Sequence, residues 1–123
     1  MAKNILIIED DNFLQGLEAK KLKKEGYEVF AASNSDEAFE VINKNVQLDL
    51  ILLDILLPGM DGFGILERVR KNETIKNIPV IVFSNLSEEK DIKHAKELGV
   101  NDFMVKSNFT LDELAEKVKE LIG

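Results

Sequence analysis

Two runs of apolar β-formers, Ile5-Leu6-Ile7-Ile8 and Leu50-Ile51-Leu52-Leu53, end directly on acids: Glu9, Asp10 and Asp11 after the first, Asp54 after the second. As neighbouring parallel strands, the two runs would bring these carboxylates together at one edge of a sheet. Two unit charges ~4 Å apart repel by roughly 4 kcal/mol at an effective dielectric of about 20, so such a cluster does little to stabilise a fold and asks for a divalent cation. Two further polar residues, Ser84 and Lys106, close later apolar runs. The set can handle a phosphoryl group. Asp54 can attack phosphorus to give an acyl phosphate, provided a hard cation bridges its oxygen and the incoming group. Mg2+ suits that task, since it binds one or two carboxylates plus phosphate oxygens and keeps several waters. Asp10 is the expected direct ligand, with Glu9 helping directly or through water. Lys106 supplies a compact positive charge to the phosphoryl oxygens, and the Ser84 hydroxyl can donate to them.

The elements that would position these residues follow from hydrophobic period. Strand 1 is expected over Asn4 to Ile8, apolar throughout as a strand covered on both faces should be. Helix 1 follows over Asn12 to Glu25, with Phe13, Leu14, Leu17 and Leu22 facing inward, Asp11 at its cap and Gly26 as its stop. Tyr27 to Ala32 is a second strand. Helix 2, carrying Ala38, Phe39, Val41 and Ile42, is capped near Ser33 or Ser35. Strand 3 spans Leu48 to Leu53, and a loop through Pro58-Gly59 leads to helix 3, capped by Asp61. Strand 4, Val80 to Phe83, opens after Pro79. Helix 4 begins near Ser87 with acids in its first turns and ends before Gly99. Strand 5 covers Asn101 to Val105. Helix 5 carries a capping box, Thr110-x-x-Glu113, and an apolar stripe through Leu111, Leu114, Val118 and Leu121. Strict alternation of strand and helix predicts a parallel sheet with right-handed crossovers, whose ligands sit at the carboxyl ends of strands. The acids at 9, 10, 11 and 54 stand at such ends.

The chain has 123 residues, sufficient for a single domain over 1–123 with its own core, and its 45% hydrophobic and 32% charged content is that of a globular protein. A formal net charge of -7, with no basic run, argues against direct nucleic-acid binding. The absence of cysteine excludes disulfides, thiolate metal sites and cysteine nucleophiles. Only a four-residue apolar run follows the amino terminus, too short for a signal-peptide core or membrane span, so a soluble cytoplasmic protein is expected.

In order, Ile-Leu-Ile-Ile-Glu9-Asp10-Asp11, then Asp54-Ile-Leu-Leu-Pro58-Gly-Met-Asp61-Gly62, then Ser84, then Lys106 resembles the receiver domain of two-component response regulators over the whole chain. The resemblance implies a flavodoxin-like (CheY-like) doubly wound (βα)5 three-layer sandwich with parallel sheet order 2-1-3-4-5. It implies that Asp54 accepts a phosphoryl group from a sensor histidine kinase or a histidine phosphotransfer protein. It further implies that Glu9, Asp10, Asp54 and the backbone carbonyl of Leu56 hold Mg2+, and that Ser84 and Phe103 switch together. The readout surface would be helix 4, strand 5 and helix 5, docking a downstream protein partner or a second copy of an otherwise monomeric chain.

Departures from the family pattern carry information. Ser107 follows Lys106 where the family usually has a proline, often cis; a cis bond without proline costs about 2.5–4 kcal/mol, so this peptide is either trans or strained. Asn85 stands where a small residue is usual and narrows access to the phosphoryl group. Leu56 and Leu86 flank the family's path of attacking water, and neither can orient a water by hydrogen bonding. His94, the sole histidine, is read as a surface residue, and Met60 and Met104 as packing. Three other functions share parts of this pattern. An electron-transfer flavodoxin needs a phosphate cradle where this chain has acids. A Toprim-like metal-dependent nuclease domain needs Asp-x-Asp, and residue 56 is leucine. A receiver-shaped module that binds partners without being phosphorylated is the third.

Overall fold

Strand β1 (Asn4–Ile8) is apolar on both faces because both faces are covered: in the computed structural model, Ile5 to Ile8 are all 0% exposed. The structure describes residues 2–44, 47–57 and 61–123; the expectations for Pro58, Gly59 and Met60 lie outside them. Among the described residues the elements run β1, α1 (Asn12–Lys24), β2 (Glu28–Ala32), α2 (Ser35–Asn43), β3 (Leu50–Leu53), α3 (Gly62–Lys71), β4 (Val80–Ser84), α4 (Glu89–Glu97), β5 (Asp102–Val105), a 3-10 turn (Lys106–Asn108) and α5 (Leu111–Ile122). All strand pairs are parallel, in the order β2-β1-β3-β4-β5. This is the doubly wound order expected from the resemblance.

The period of two along each strand sorts its side chains into two cores. Leu6, Ile8, Ile51, Leu53 and Val82 face α2, α3 and α4. Ile5, Ile7, Leu50, Leu52 and Ile81 face α1 and α5. Burying each such side chain contributes about 1.5–3 kcal/mol, which is why the three central strands are apolar without alternation. No helix among the described residues is long and apolar enough to cross a membrane.

Caps set the helix boundaries. Asp11 accepts from the Phe13 and Leu14 amides and starts α1. Asp61 accepts from the Gly64 amide at 2.9 Å and starts α3, and both halves of the Thr110–Glu113 capping box are formed. Helix α1 ends as expected: Gly26 has φ +100°, with bonds from Gly26 N to Lys23 O and from Tyr27 N to Leu22 O.

Several expectations are corrected. Phe13 and Leu17 do not face inward; they are 78% and 39% exposed. The buried residues of α1 are Glu18 and Leu22, with Leu14 half-buried one turn earlier, and residues 13 and 17 sit about 100° round the helix from that line. Helix α2 is capped by Asn34, whose side chain accepts from Glu37 N at 2.9 Å, not by Ser33 or Ser35. Helix α4 begins at Glu89, with Glu88 at its cap and no side-chain cap bond, two residues after Ser87. No peptide bond among the described residues is cis, so the Lys106–Ser107 bond is trans.

Candidate functional site

Pairing register decides which strand-end residues meet. Ile8 is opposite Leu53 in the β1–β3 ladder, so Glu9 and Asp54 leave the sheet side by side. Backbone bonds extend that order past the strands: Glu9 N donates to Ala32 O and Asp54 N to Ile8 O, both at 2.9 Å. Because β2 and β3 lie on opposite sides of β1, this is the point where the strand order reverses and a crevice must open.

Glu9, Asp10 and Asp54 each present a carboxylate oxygen within 4.8 Å of the others. Glu9 and Asp54 are buried, whereas Asp10 is exposed, so the cluster opens to solvent on the Asp10 side. Hard oxygen donors at this spacing fit a divalent cation that keeps part of its water shell. Asp11 does not join them, being occupied as the α1 cap.

Lys106 reaches this cluster from the start of the 3-10 turn that follows β5. Its Nζ lies 2.5 Å from Glu9 Oε1 and 2.6 Å from Asp54 Oδ2, a pair of charge-assisted bonds between residues 97 and 52 positions apart. The remaining oxygens are also used: Glu9 Oε2 accepts from Asp11 N at 3.1 Å, and Asp54 Oδ1 from Leu56 N at 2.9 Å. Burial works against the Lys106 charge, but the bonds to Asp54 and Glu9 outweigh it and raise its pKa above the ordinary lysine value. Burial also raises the Glu9 carboxyl, opposed chiefly by the bond from Lys106.

Ser84 is the last residue of β4, paired with Val105 beside Lys106 and fully buried. Its Oγ accepts from Leu86 N at 3.3 Å, which leaves the hydroxyl hydrogen available for another acceptor. Phe103 is half-buried, opposite Val82, and packs against the core beneath α2, α3 and α4. Leu56 is exposed at the crevice and Leu86 is half-buried against the same core. His94 is exposed, its ring stacked on Phe63 at 4.4 Å between centroids. Met104 is buried.

Near the site, Glu18 escapes the sequence reading, and Gly62 enters it only as the last residue of the motif that starts at Asp54. Glu18 is 1% exposed, its Oε2 has no hydrogen-bond partner, and its pKa is pushed up to about 8, first by burial and then by the negative charge of Glu9. Its place between Leu14 and Leu22, four residues from each, was the available signal. Gly62 opens α3 against the end of β3: a Cβ there would lie 2.3 Å from Ile55 Cα and 3.0 Å from Asp54 O.

The geometry meets its counterpart among known proteins. The response regulator receiver domain family model matches residues 5–119. The sporulation initiation phosphotransferase F of Bacillus subtilis (strain 168) is 36% identical over 122 residues, covering 99% of this chain and 95% of that protein. The transcriptional regulatory protein CrdR of Helicobacter pylori is also 36% identical, over 123 residues, and here the chain spans only 56% of the relative's length. Among solved structures, the response regulator protein TrrA from Thermotoga maritima in complex with Mg(2+)-BeF superposes with a TM-score of 0.83 at 33% identity, covering 97% of this chain and 98% of that one. The Vibrio cholerae chemotaxis protein CheY4, at 23% identity and a TM-score of 0.90 over 98% of this chain and 99% of that one, shares the fold. With the acids, hydroxyl and lysine at the sheet edge and this match over nearly its whole length, the chain belongs to the response regulator receiver domain family of two-component signalling.

Proposed function

We propose that this chain is a phosphorylation-driven signalling switch that takes a phosphoryl group onto Asp54 from a sensor histidine kinase or histidine phosphotransfer protein. The observation that carries the reading is Lys106 Nζ seated between Glu9 and Asp54, with Asp10 opening the same cluster to solvent. Mg2+ would be held by Glu9, Asp10, Asp54 and the Leu56 carbonyl, where it would neutralise phosphoryl oxygens during transfer. An Asp54 carboxylate oxygen forms the new bond to phosphorus while the bond between phosphorus and the donor's imidazole nitrogen breaks, leaving the donor histidine neutral after protonation. Lys106 exchanges a carboxylate partner for a phosphoryl oxygen and holds the developing charge. The Ser84 hydroxyl turns its free hydrogen to the same group, and Phe103 changes rotamer behind it. The altered surface of α4, β5 and α5 then engages a downstream protein partner or a second copy, in the cytoplasm and without direct contact with nucleic acid or membrane.

Incubation with a small phosphodonor and Mg2+ is expected to add one phosphoryl group, read by intact mass. The gain should vanish in Asp54→Ala and on chelation of the cation; a gain that survives Asp54→Ala would overturn the assignment.

A second expectation concerns lifetime. Leu56 and Leu86 offer no hydrogen-bonding group to an attacking water, so general-base help of the usual 10²-fold or more is missing. The acyl phosphate should persist for minutes or longer in the isolated domain, and Leu56→Gln should shorten it. Decay of the wild type within seconds would refute the role given to the two leucines.

A further inference from the structure

Both predicted metal ligands that follow β1 sit on one peptide unit, the Glu9–Asp10 bond, whose orientation helps decide where both carboxylates point. A residue outside the acidic cluster holds it. The Gln15 carboxamide, one turn into α1, donates to Glu9 O at 2.9 Å and Ala32 O at 3.0 Å, and lies 3.3 Å from Ser33 Oγ. Its two N–H hydrogens match the two carbonyls. The first belongs to the Glu9–Asp10 peptide. The second also accepts from Glu9 N, so the amide bridges the ends of β1 and β2 on both sides of Glu9. Ser33 Oγ in turn donates to Asn12 Oδ1 at 3.2 Å, closing a polar ring between the β1–α1 and β2–α2 loops. Glu9 then has its backbone pinned at both N and O, while its side chain faces Lys106 and the Asp11 amide.

We propose that Gln15 is a positioning residue for cation binding, fixing the Glu9–Asp10 peptide so that both carboxylates converge on Asp54 before any ion arrives. This rests on the receiver reading above. Partners that orient metal ligands are typically worth 10–100-fold in metal affinity. A loop held only by its two flanking elements would have to be ordered by the ion itself, and that ordering cost would be subtracted from binding. Helix α1 therefore has a part in the site beyond its cap: the helix phase that exposes Phe13 also turns Gln15 toward the strand ends.

The test is Gln15→Leu, which keeps the bulk and removes both donors. Mg2+ affinity is followed by the backbone amide resonances of Glu9, Asp10 and Asp11, and the thermal midpoint of the metal-free protein is measured alongside. The dissociation constant is expected to rise about 10-fold or more, with the metal-free resonances of Glu9 and Asp10 already displaced. A dissociation constant within twofold of wild type overturns the proposal, as does a lowered midpoint with unchanged affinity, which marks a purely structural role. Should Gln15→Leu not fold, Gln15→Asn takes the same measurement with the same criterion, since its amide falls one methylene short of the carbonyls. A wild-type chain that binds no Mg2+ overturns the receiver reading and this proposal together; normal wild-type binding with an unaffected variant overturns this proposal alone.

Discussion

Replacing Glu18 with leucine is expected to stabilise the fold and to remove much of its loss of stability between pH 5 and 8. The carboxyl is buried, one of its oxygens has no partner, and burial pushes its pKa in the folded protein up to about 8 from the ordinary 4.5. Between those two values the folded chain holds a proton that the unfolded chain has released. Folding is therefore favoured by acid: the contribution is fully present below 4.5 and is lost as pH rises toward 8. At about 1.4 kcal/mol per pH unit, this one group removes roughly 3–4 kcal/mol between pH 5 and 8. Leucine also relieves the unbonded oxygen, so its advantage holds at low pH and grows with pH. Glu18→Gln should abolish the slope while keeping the cost of a buried polar group. Urea unfolding at pH 5, 7 and 8 without divalent cation reads both effects. Parallel stability curves for wild type and Glu18→Leu would sink the idea.

Gly62→Ala is expected to cost about 2–3 kcal/mol and to impair phosphoryl transfer to Asp54. The residue's backbone is ordinary helix, so alanine's better helix propensity would by itself be favourable by up to about 1 kcal/mol. The obstacle is space alone. The added methyl would enter the backbone at Ile55 Cα, an atom with no rotamer to escape into, and would press on the carbonyl of Asp54 at 3.0 Å. The Gly62 amide also donates to Ile55 O at 2.8 Å, so moving α3 outward breaks that bond. The displaced peptide lies between Asp54 and Leu56. Gly16 supplies the control: nothing lies within 4 Å of a Cβ there, and Gly16→Ala in α1 should stabilise by about 0.5–1 kcal/mol. Chemical unfolding of both variants, with intact mass after phosphodonor treatment, checks the contrast. A Gly62→Ala protein as stable as Gly16→Ala would contradict it.

Fold and site were unequally legible in the sequence. The apolar runs at 5–8 and 50–53 read as buried strands because no alternation interrupts them, and the caps at Asp11, Asp61 and Thr110 read as caps because their chemistry is local. Strand order was not legible from pattern; it came from the resemblance, and the ladders bear it out. Helix α1 misled because Phe13 and Leu17 are apolar while the buried position between Leu14 and Leu22 is a glutamate, so its burial stripe contradicts its hydrophobic one. The pairing of Lys106 with Glu9 spans 97 positions and depends on three ladders and a 3-10 turn, none of which a motif encodes. Gln15 left no trace because its partners are two backbone carbonyls, which every residue possesses.

The reach of Lys106 has a mechanical corollary. From the turn that follows β5, its tip ties to the acids that follow β1 and β3, so one side chain runs like a drawstring across the rim of the sheet. Among the described residues β5 is an outermost strand, laced to the sheet through β4. A group that claimed either carboxylate would therefore slacken the cord at its far end, and a charge arriving over β1 and β3 would be felt as loosened tension on the border strand.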